Sequence, residues 1–310
     1  MKVLLALRDS LSRFYGKYDT YIRWVAKCVL AACAFGGINI SLGQMERLNN
    51  PLLVLGMAVI CAFFPTNSIV LVGTGLVLGH FYALSAEAAL VGGGMLVVGV
   101  MLYFGIATRS SVPLIVTMLA LAWNVPSASA VVLGLTGGPL TAVGSIFGTF
   151  GYYLIKIIGE HGGNLQSAAA TPAEALVEKS TILMDAVIQN REMILVALAV
   201  TVTLAVVWMI RRMPIKYAWM VAAAAGCLLY LVMRILGASF VGGVADLFAL
   251  AAEVLISMAV AWMSQTMLFS LDYKRVENVR FEDDEYFYYV KAVPKKKVRK
   301  KRRSRRADRR

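Results

Sequence analysis

Five stretches of this chain, Trp24–Leu42, Ala83–Ala107, Met193–Ile210, Tyr217–Leu236 and Val244–Phe269, run for about 20 residues with at most two charged side chains each. At a rise of about 1.5 Å per residue, such a stretch matches the ~30 Å hydrocarbon core of a bilayer. Backbone amides inside hydrocarbon must find partners within the segment, so each stretch reads as a membrane-spanning helix. Pro139–Ile158, rich in small residues, makes a sixth. Composition agrees: only 16% of the 310 residues are charged and 59% are hydrophobic, whereas soluble domains are about one quarter charged.

Two further apolar stretches do not fit the length rule. Pro51–Phe64 stops at Pro65-Thr66-Asn67-Ser68 and resumes as Ile69–Gly79; Pro113–Asn124 stops at Val125-Pro126-Ser127-Ala128-Ser129 and resumes as Ala130–Gly138. Each arm is too short to cross, but each pair can dip to mid-depth and return. The units resemble each other, PLLVLGMAVICAFFPTNSIVLVGTG against PLIVTMLALAWNVPSASAVVLGLTG, and a Gly-rich span follows each. The expected fold is an all-α membrane protein with about six transmembrane helices plus two Pro-broken re-entrant hairpins that can form an inverted repeat. Ten thin crossings would place the chain ends on the same side, so parity does not separate the two models.

Lys and Arg in short loops set orientation. Lys2, Arg8, Arg13, Lys17 and Arg23 put residues 1–23 in the cytoplasm, and Arg109, Arg211, Arg212 and Lys216 fall on the same side if both broken units are re-entrant. The membrane region 24–158 then holds both broken repeats. An acidic loop, 159–192, lies outside, followed by a three-helix membrane region, 193–270, and a cytoplasmic tail, 271–310. Lys156 and Arg234 sit near outer helix ends and fit this pattern less well. The whole describes a multi-pass protein of the cell (inner or plasma) membrane with both termini cytoplasmic.

Non-helical backbone at membrane depth persists where it lines a cavity. A solute cavity between the hairpins is therefore expected, with Thr66, Asn67, Ser68, Ser127 and Ser129 in its wall. These are good helix N-cap types, and the half-helix dipoles behind them favour anionic groups. The competing reading is two tight turns whose caps are satisfied locally. Gly75/Gly79 and Gly144/Gly148 form GxxxG pairs suited to close helix packing. Of the charges within the spans, Arg234, Asp246 and Glu253 are the functional candidates; Arg234 is expected to pair with Asp246 or Glu253, and a proton relay is the alternative. No catalytic constellation, metal site or cofactor motif stands out. His80 and His161 are far apart, and Cys28, Cys33, Cys61 and Cys227 form no ligand cluster.

The outer loop carries a helix-like stretch, Thr171–Asn190, expected to lie on the membrane or pack on the bundle. Of the net charge of +13, +11 falls in Lys295–Arg310 and only +2 in the rest. That segment is expected to be disordered and to lie on anionic lipids of the bilayer. A protein partner is an alternative; nucleic acid is disfavoured, since no aromatic residues interleave the basic run. Oligomeric state is not legible. The run Tyr286–Val290 is β-prone and suited to pairing with another chain's edge.

VENVRFEDDEYFYYVKAVPKK and RRMPIKYAW resemble segments of membrane proteins from Gram-positive anaerobes, which implies a bacterial membrane and no particular activity. In arrangement, the paired hairpins with Pro, Ser, Asn and Thr tips resemble ion-coupled transporters with inverted re-entrant hairpins. The present chain is shorter than the dicarboxylate members of that group, and no residue roles transfer from them. The expected function is a small secondary transporter or channel subunit, not an enzyme. The alternative is a membrane scaffold that presents its basic tail to proteins or anionic lipid.

Overall fold

The computed structural model describes residues 2–107, 110–160, 172–213, 215, 217–241, 246–268, 277–282 and 287–292. The chain is an all-α multi-pass membrane protein, with one short β-hairpin after its last long helix. Among the described residues, seven helices are long and apolar enough to cross a bilayer. Side chains that water would reject cover their outer faces: Ile40, Phe240 and Phe248 are 89%, 82% and 87% exposed. Such a surface is compatible with lipid as the solvent.

Helix α1 (Lys2–Leu42) breaks its helical dihedrals at Tyr18 (φ −123°, ψ 28°), where the apolar part begins. It ends at Gly43, whose φ of +56° supplies the left-handed position that glycine adopts without strain. Helix α2 (Pro51–Phe63) starts with Asn50 accepting the Leu52 N–H and with Pro51 in the first turn. It stops because Phe64 precedes Pro65 and is held extended. Helix α3 (Asn67–Leu84) and helix α4 (Ala86–Ile106) are parted by extended Ser85, whose Oγ accepts the Ala88 N–H at 3.0 Å.

The sequence suggested that the apolar stretch after Pro65 ends at Gly79, but α3 continues to Leu84. His80 is the reason. It is fully buried, with Nε2 2.9 Å from Asn39 Oδ1 and Nδ1 accepting the Met45 N–H at 3.2 Å. Both ring nitrogens are used, so the imidazole sits inside the bundle without an unmet polar group. With α3 included, the described residues hold seven helices of spanning length and composition.

The first broken unit is the longer of the two. Helix α2 packs along α1 from Leu48, whose carbonyl accepts from Asn39, to Phe63, whose ring meets Trp24; Lys27 Nζ donates to the Phe64 carbonyl. The tip thus lies at the Trp24 end of α1, where the apolar part of that helix begins. Its 13 residues rise about 20 Å. Helix α3 returns over 18 residues.

The second unit is shorter. Helix α5 (Val112–Ala122) and helix α6 (Pro126–Thr136) have 11 residues each, a rise of about 16 Å or half the hydrocarbon core. Between them Asn124 adopts φ +55°, a conformation Asn tolerates better than most side chains. Helix α7 (Leu140–Glu160) lies so close to α5 that a Cβ on Gly144 would stand 2.7 Å from Pro113 Cβ, and one on Gly148 2.5 Å from the Leu114 carbonyl. The second GxxxG pair therefore seals α5 to α7. The first does not act in this way: Gly75 faces open space and Gly79 meets only Leu48. Gly92 and Gly99 of α4 bring that helix antiparallel to α7, against Ile158 and Phe150.

Helix α8 (Pro172–Ile188) buries Leu183 and Val187 against the core formed by α1, α3, α4, α5 and α7, so this acidic-loop helix packs on the bundle. Helices α9 (Arg191–Arg211), α10 (Ala218–Val241) and α11 (Leu247–Leu268) surround α6. Val131 and Leu135 of α6 are fully buried among Val207, Ala222 and Ala261. Gly134 and Gly226 both abut Val207, which lets the three backbones approach.

Beyond α11, β1 (Glu277–Glu282) pairs antiparallel with β2 (Phe287–Ala292), with Glu282 opposite Phe287. Within this chain the β-prone run pairs with β1. The basic segment Lys295–Arg310 and the Arg109 loop position lie outside the described residues.

Candidate functional site

Helix α6 is short, buried and charged at both ends. At its N-terminus the Ser127 N–H donates to Glu253 Oε1 at 2.9 Å, and Ser127 Oγ lies 2.5 Å from Ser257 Oγ. Ser257 in turn donates to the Glu253 carbonyl at 2.9 Å. At the C-terminus the Arg211 guanidinium donates to the carbonyls of Leu135 and Gly137. A carboxylate on the positive end and a guanidinium on the negative end satisfy orphan backbone groups and complement the helix dipole. Glu253 is only 8% exposed, so its hydrogen bond to α6 is the kind of partner a buried carboxylate requires.

The tip between α5 and α6 closes one side of a cavity of about 590 Å³. Asn124 and Pro126 come from the tip, Tyr153 and Lys156 from α7, Glu192 from α9, Tyr230 and Arg234 from α10, and Asp246 and Glu253 from the start of α11 and its second turn. Lys156, Glu192, Arg234 and Asp246 all lie at the helix ends on the side of the Glu160–Pro172 connection. Arg234 approaches Glu192 at 3.8 Å and Lys156 approaches Glu160 at 3.9 Å. Asp246 Oδ1 accepts the N–H groups of Phe248 and Ala249 at 3.1 and 3.2 Å, capping α11.

The expected cavity-wall residues and the intramembrane charges part company. Arg234, Asp246 and Glu253 converge on this one cavity, although the pairing differs: Arg234 faces Glu192 rather than either acid of α11. Glu192 is the nearer carboxylate because α9 packs directly on α10. Ser127 and Ser129 lie just behind the tip, buried and turned to Ser257 and to the Pro126 carbonyl. Thr66, Asn67 and Ser68 are elsewhere. Asn67 Oδ1 accepts from the Ser111 N–H and Oγ at 3.1 and 2.7 Å, at the base of α5, and Ser68 Oγ donates to the Pro65 carbonyl.

The space between the hairpins is thus not the polar one. Where α3 faces α5 there is an apolar cleft of about 80 Å³, walled by Ile69, Val70, Leu114 and Met118 among others. It offers little with which to orient a polar solute.

Sequence reasoning missed Asn124, Tyr153, Tyr230, Glu192 and Lys156 as cavity residues. One signal was present: Lys156 and Arg234 were the two basic residues at odds with the loop-charge pattern, and both line the cavity. Among the described residues, no group of three His, Cys, Asp or Glu converges as a metal-ligand set. Comparison with protein-family models, with characterised proteins and with solved structures gives no match to this chain.

Proposed function

We propose that this chain is a small secondary transporter or channel subunit in which the charged cavity at the α5–α6 tip holds the solute. The observation that carries the proposal is a short buried helix, α6, capped by charge at both ends and ending on a polar cavity of about 590 Å³. That volume lies in the ordinary range for small-molecule sites. Placing charged side chains within membrane helices is costly, and convergence of five on one space is the pattern of a solute or ion path.

In this proposal α5–α6 is re-entrant from the cytoplasm, while α2 and α3 cross fully. Seven long helices and thin α2 make eight crossings, which keeps both termini cytoplasmic. The two broken units run in opposite directions, as do the helices α4 and α7 that follow them, which supports an inverted repeat of unequal depth. The cavity then opens toward the extracytoplasmic face, and the chain catalyses no covalent chemistry. The basic tail lies on anionic lipid.

The test is a single cysteine at Asn124 in a background without the four native cysteines. It should react with a membrane-impermeant thiol reagent applied from outside, since thiolate chemistry requires water at the site. No reaction from either face of a folded protein would remove the support for transport. The β1–β2 hairpin favours the scaffold alternative, because it gives the tail a folded element to present. Sealed proteoliposomes that show no flux of any small solute, together with an unreactive Asn124→Cys, would favour that alternative.

A further inference from the structure

The cavity's polar groups are unevenly used. Its acids are engaged: Glu253 holds the N-terminus of α6, Asp246 holds that of α11, and Glu192 faces Arg234. Its donors are not. Tyr230 is fully buried beside Glu253 and Arg234; its hydroxyl makes no hydrogen bond of normal geometry, and the Glu253 carboxylate is the nearby acceptor. Arg234 Nε is buried and unpaired, and among the described residues the carboxylate that approaches the guanidinium, Glu192, is at 3.8 Å, longer than a charge-assisted hydrogen bond. Lys156 Nζ is 3.9 Å from Glu160 and 5.8 Å over the Tyr153 ring. Unmet buried donors are rare in folded proteins and mark a site that something else completes.

Resting on the proposal that this cavity is the solute site, we infer that it takes a small solute through a carboxylate group, held by Arg234 and Tyr230 with Lys156 nearby. A guanidinium offers two parallel N–H groups to a carboxylate, and Tyr230 supplies a third donor from the same helix turn. The N-terminus of α6 is not the anion subsite, since Glu253 already occupies it. The charged wall carries two cations and three carboxylates, a formal −1. A solute that also bears a positive group, turned toward Glu253 and Asp246, therefore fits better than a simple anion, and a dianion fits worst.

The test is thermal unfolding of the purified full chain in detergent, at constant ionic strength, with L-alanine, acetate, succinate, phosphate, choline and glucose as probes. Ligands that bind the folded state raise the unfolding temperature in proportion to the logarithm of their concentration above Kd. L-Alanine and acetate are expected to raise it, alanine giving the same shift at roughly tenfold lower concentration than acetate, and choline and glucose to leave it unchanged. Arg234→Gln and the milder Tyr230→Phe should each weaken the effect about tenfold; Tyr230→Phe removes only the hydroxyl and serves if Arg234→Gln does not fold. A shift that persists in both variants, a shift from choline, glucose or phosphate alone, or no shift from any carboxylate probe would overturn the inference. If Asn124→Cys is reactive while the carboxylates have no effect, the solute class is wrong and the transport proposal stands. If Asn124→Cys is unreactive, both fall.

Discussion

The two Pro-broken units look alike as sequence and differ as structure. The first ends in a neutral tip beside Trp24 and Lys27, and Asn67 and Ser68 bond to neighbouring Ser and Pro groups. The second ends in a tip whose return helix is held by Glu253 and Arg211 from two other helices. Similar proline breaks thus yield a tip held against α1 in one place and a buried 11-residue helix in the other. What separates them is the supply of distant charge. A helix end surrounded by protein must have its N–H and C=O groups met; Lys27 meets one carbonyl at the first tip, whereas the return helix of the second unit has an ionic partner at each end.

The comparison can be broken most severely at Glu253. Glu253→Leu leaves the Ser127 N–H without an acceptor in a buried place and should cost about 1–3 kcal/mol, read as a lowered unfolding midpoint; Glu253→Gln, which keeps an acceptor oxygen, should recover much of it. Equal loss in the two variants would mean that charge rather than hydrogen bonding holds α6. At the other end, Arg211→Met should cost about 1–2 kcal/mol, the upper part of the range for a cation at a helix C-terminus. No change there would show that the Leu135 and Gly137 carbonyls find water instead. The glycine pairs give a smaller contrast: Gly148→Ala should destabilise by about 1 kcal/mol or more, as overpacking does, while Gly75→Ala should change stability by no more than about 0.5–1 kcal/mol in its favour. Similar effects at the two positions would erase the difference between the seams. Smallest is Ser68→Ala at the first tip, where loss of one bond to Pro65 should cost about 0.5 kcal/mol. A larger cost there would mean that the first tip is also a strained element.

The long spans were legible in the sequence because hydrocarbon imposes a length, and the second hairpin was legible because Pro126 divides a stretch too short to cross twice. The full extent of α3 was not, since His80 reads as a polar terminator until Asn39 and the Met45 amide are seen to satisfy it. Glu253 was conspicuous by its depth, yet nothing local to Ser127 announces an acceptor 126 residues away. Tyr230 was invisible because an aromatic within an apolar run carries no mark of an unpaired hydroxyl. The departures of Lys156 and Arg234 from the expected loop charge were the one sequence signal that pointed at the cavity.

The two anchors of α6 also bear on how the protein is made. Arg211 follows Leu135 by 76 residues, and Glu253 follows Ser127 by 126. At roughly 5–20 residues per second, the second anchor is synthesised about 6–25 s after the segment it completes. Until Arg211 is made the α5–α6 hairpin has neither charge to hold its ends, and until Glu253 follows it lacks the anchor of its N-terminus and α11. Its final position must be taken up late, by docking of the C-terminal helices onto a segment that was threaded first. A ribosome stalled before Glu253 should therefore hold an N-terminal half already inserted, with α6 still accessible to proteases or to the insertion machinery.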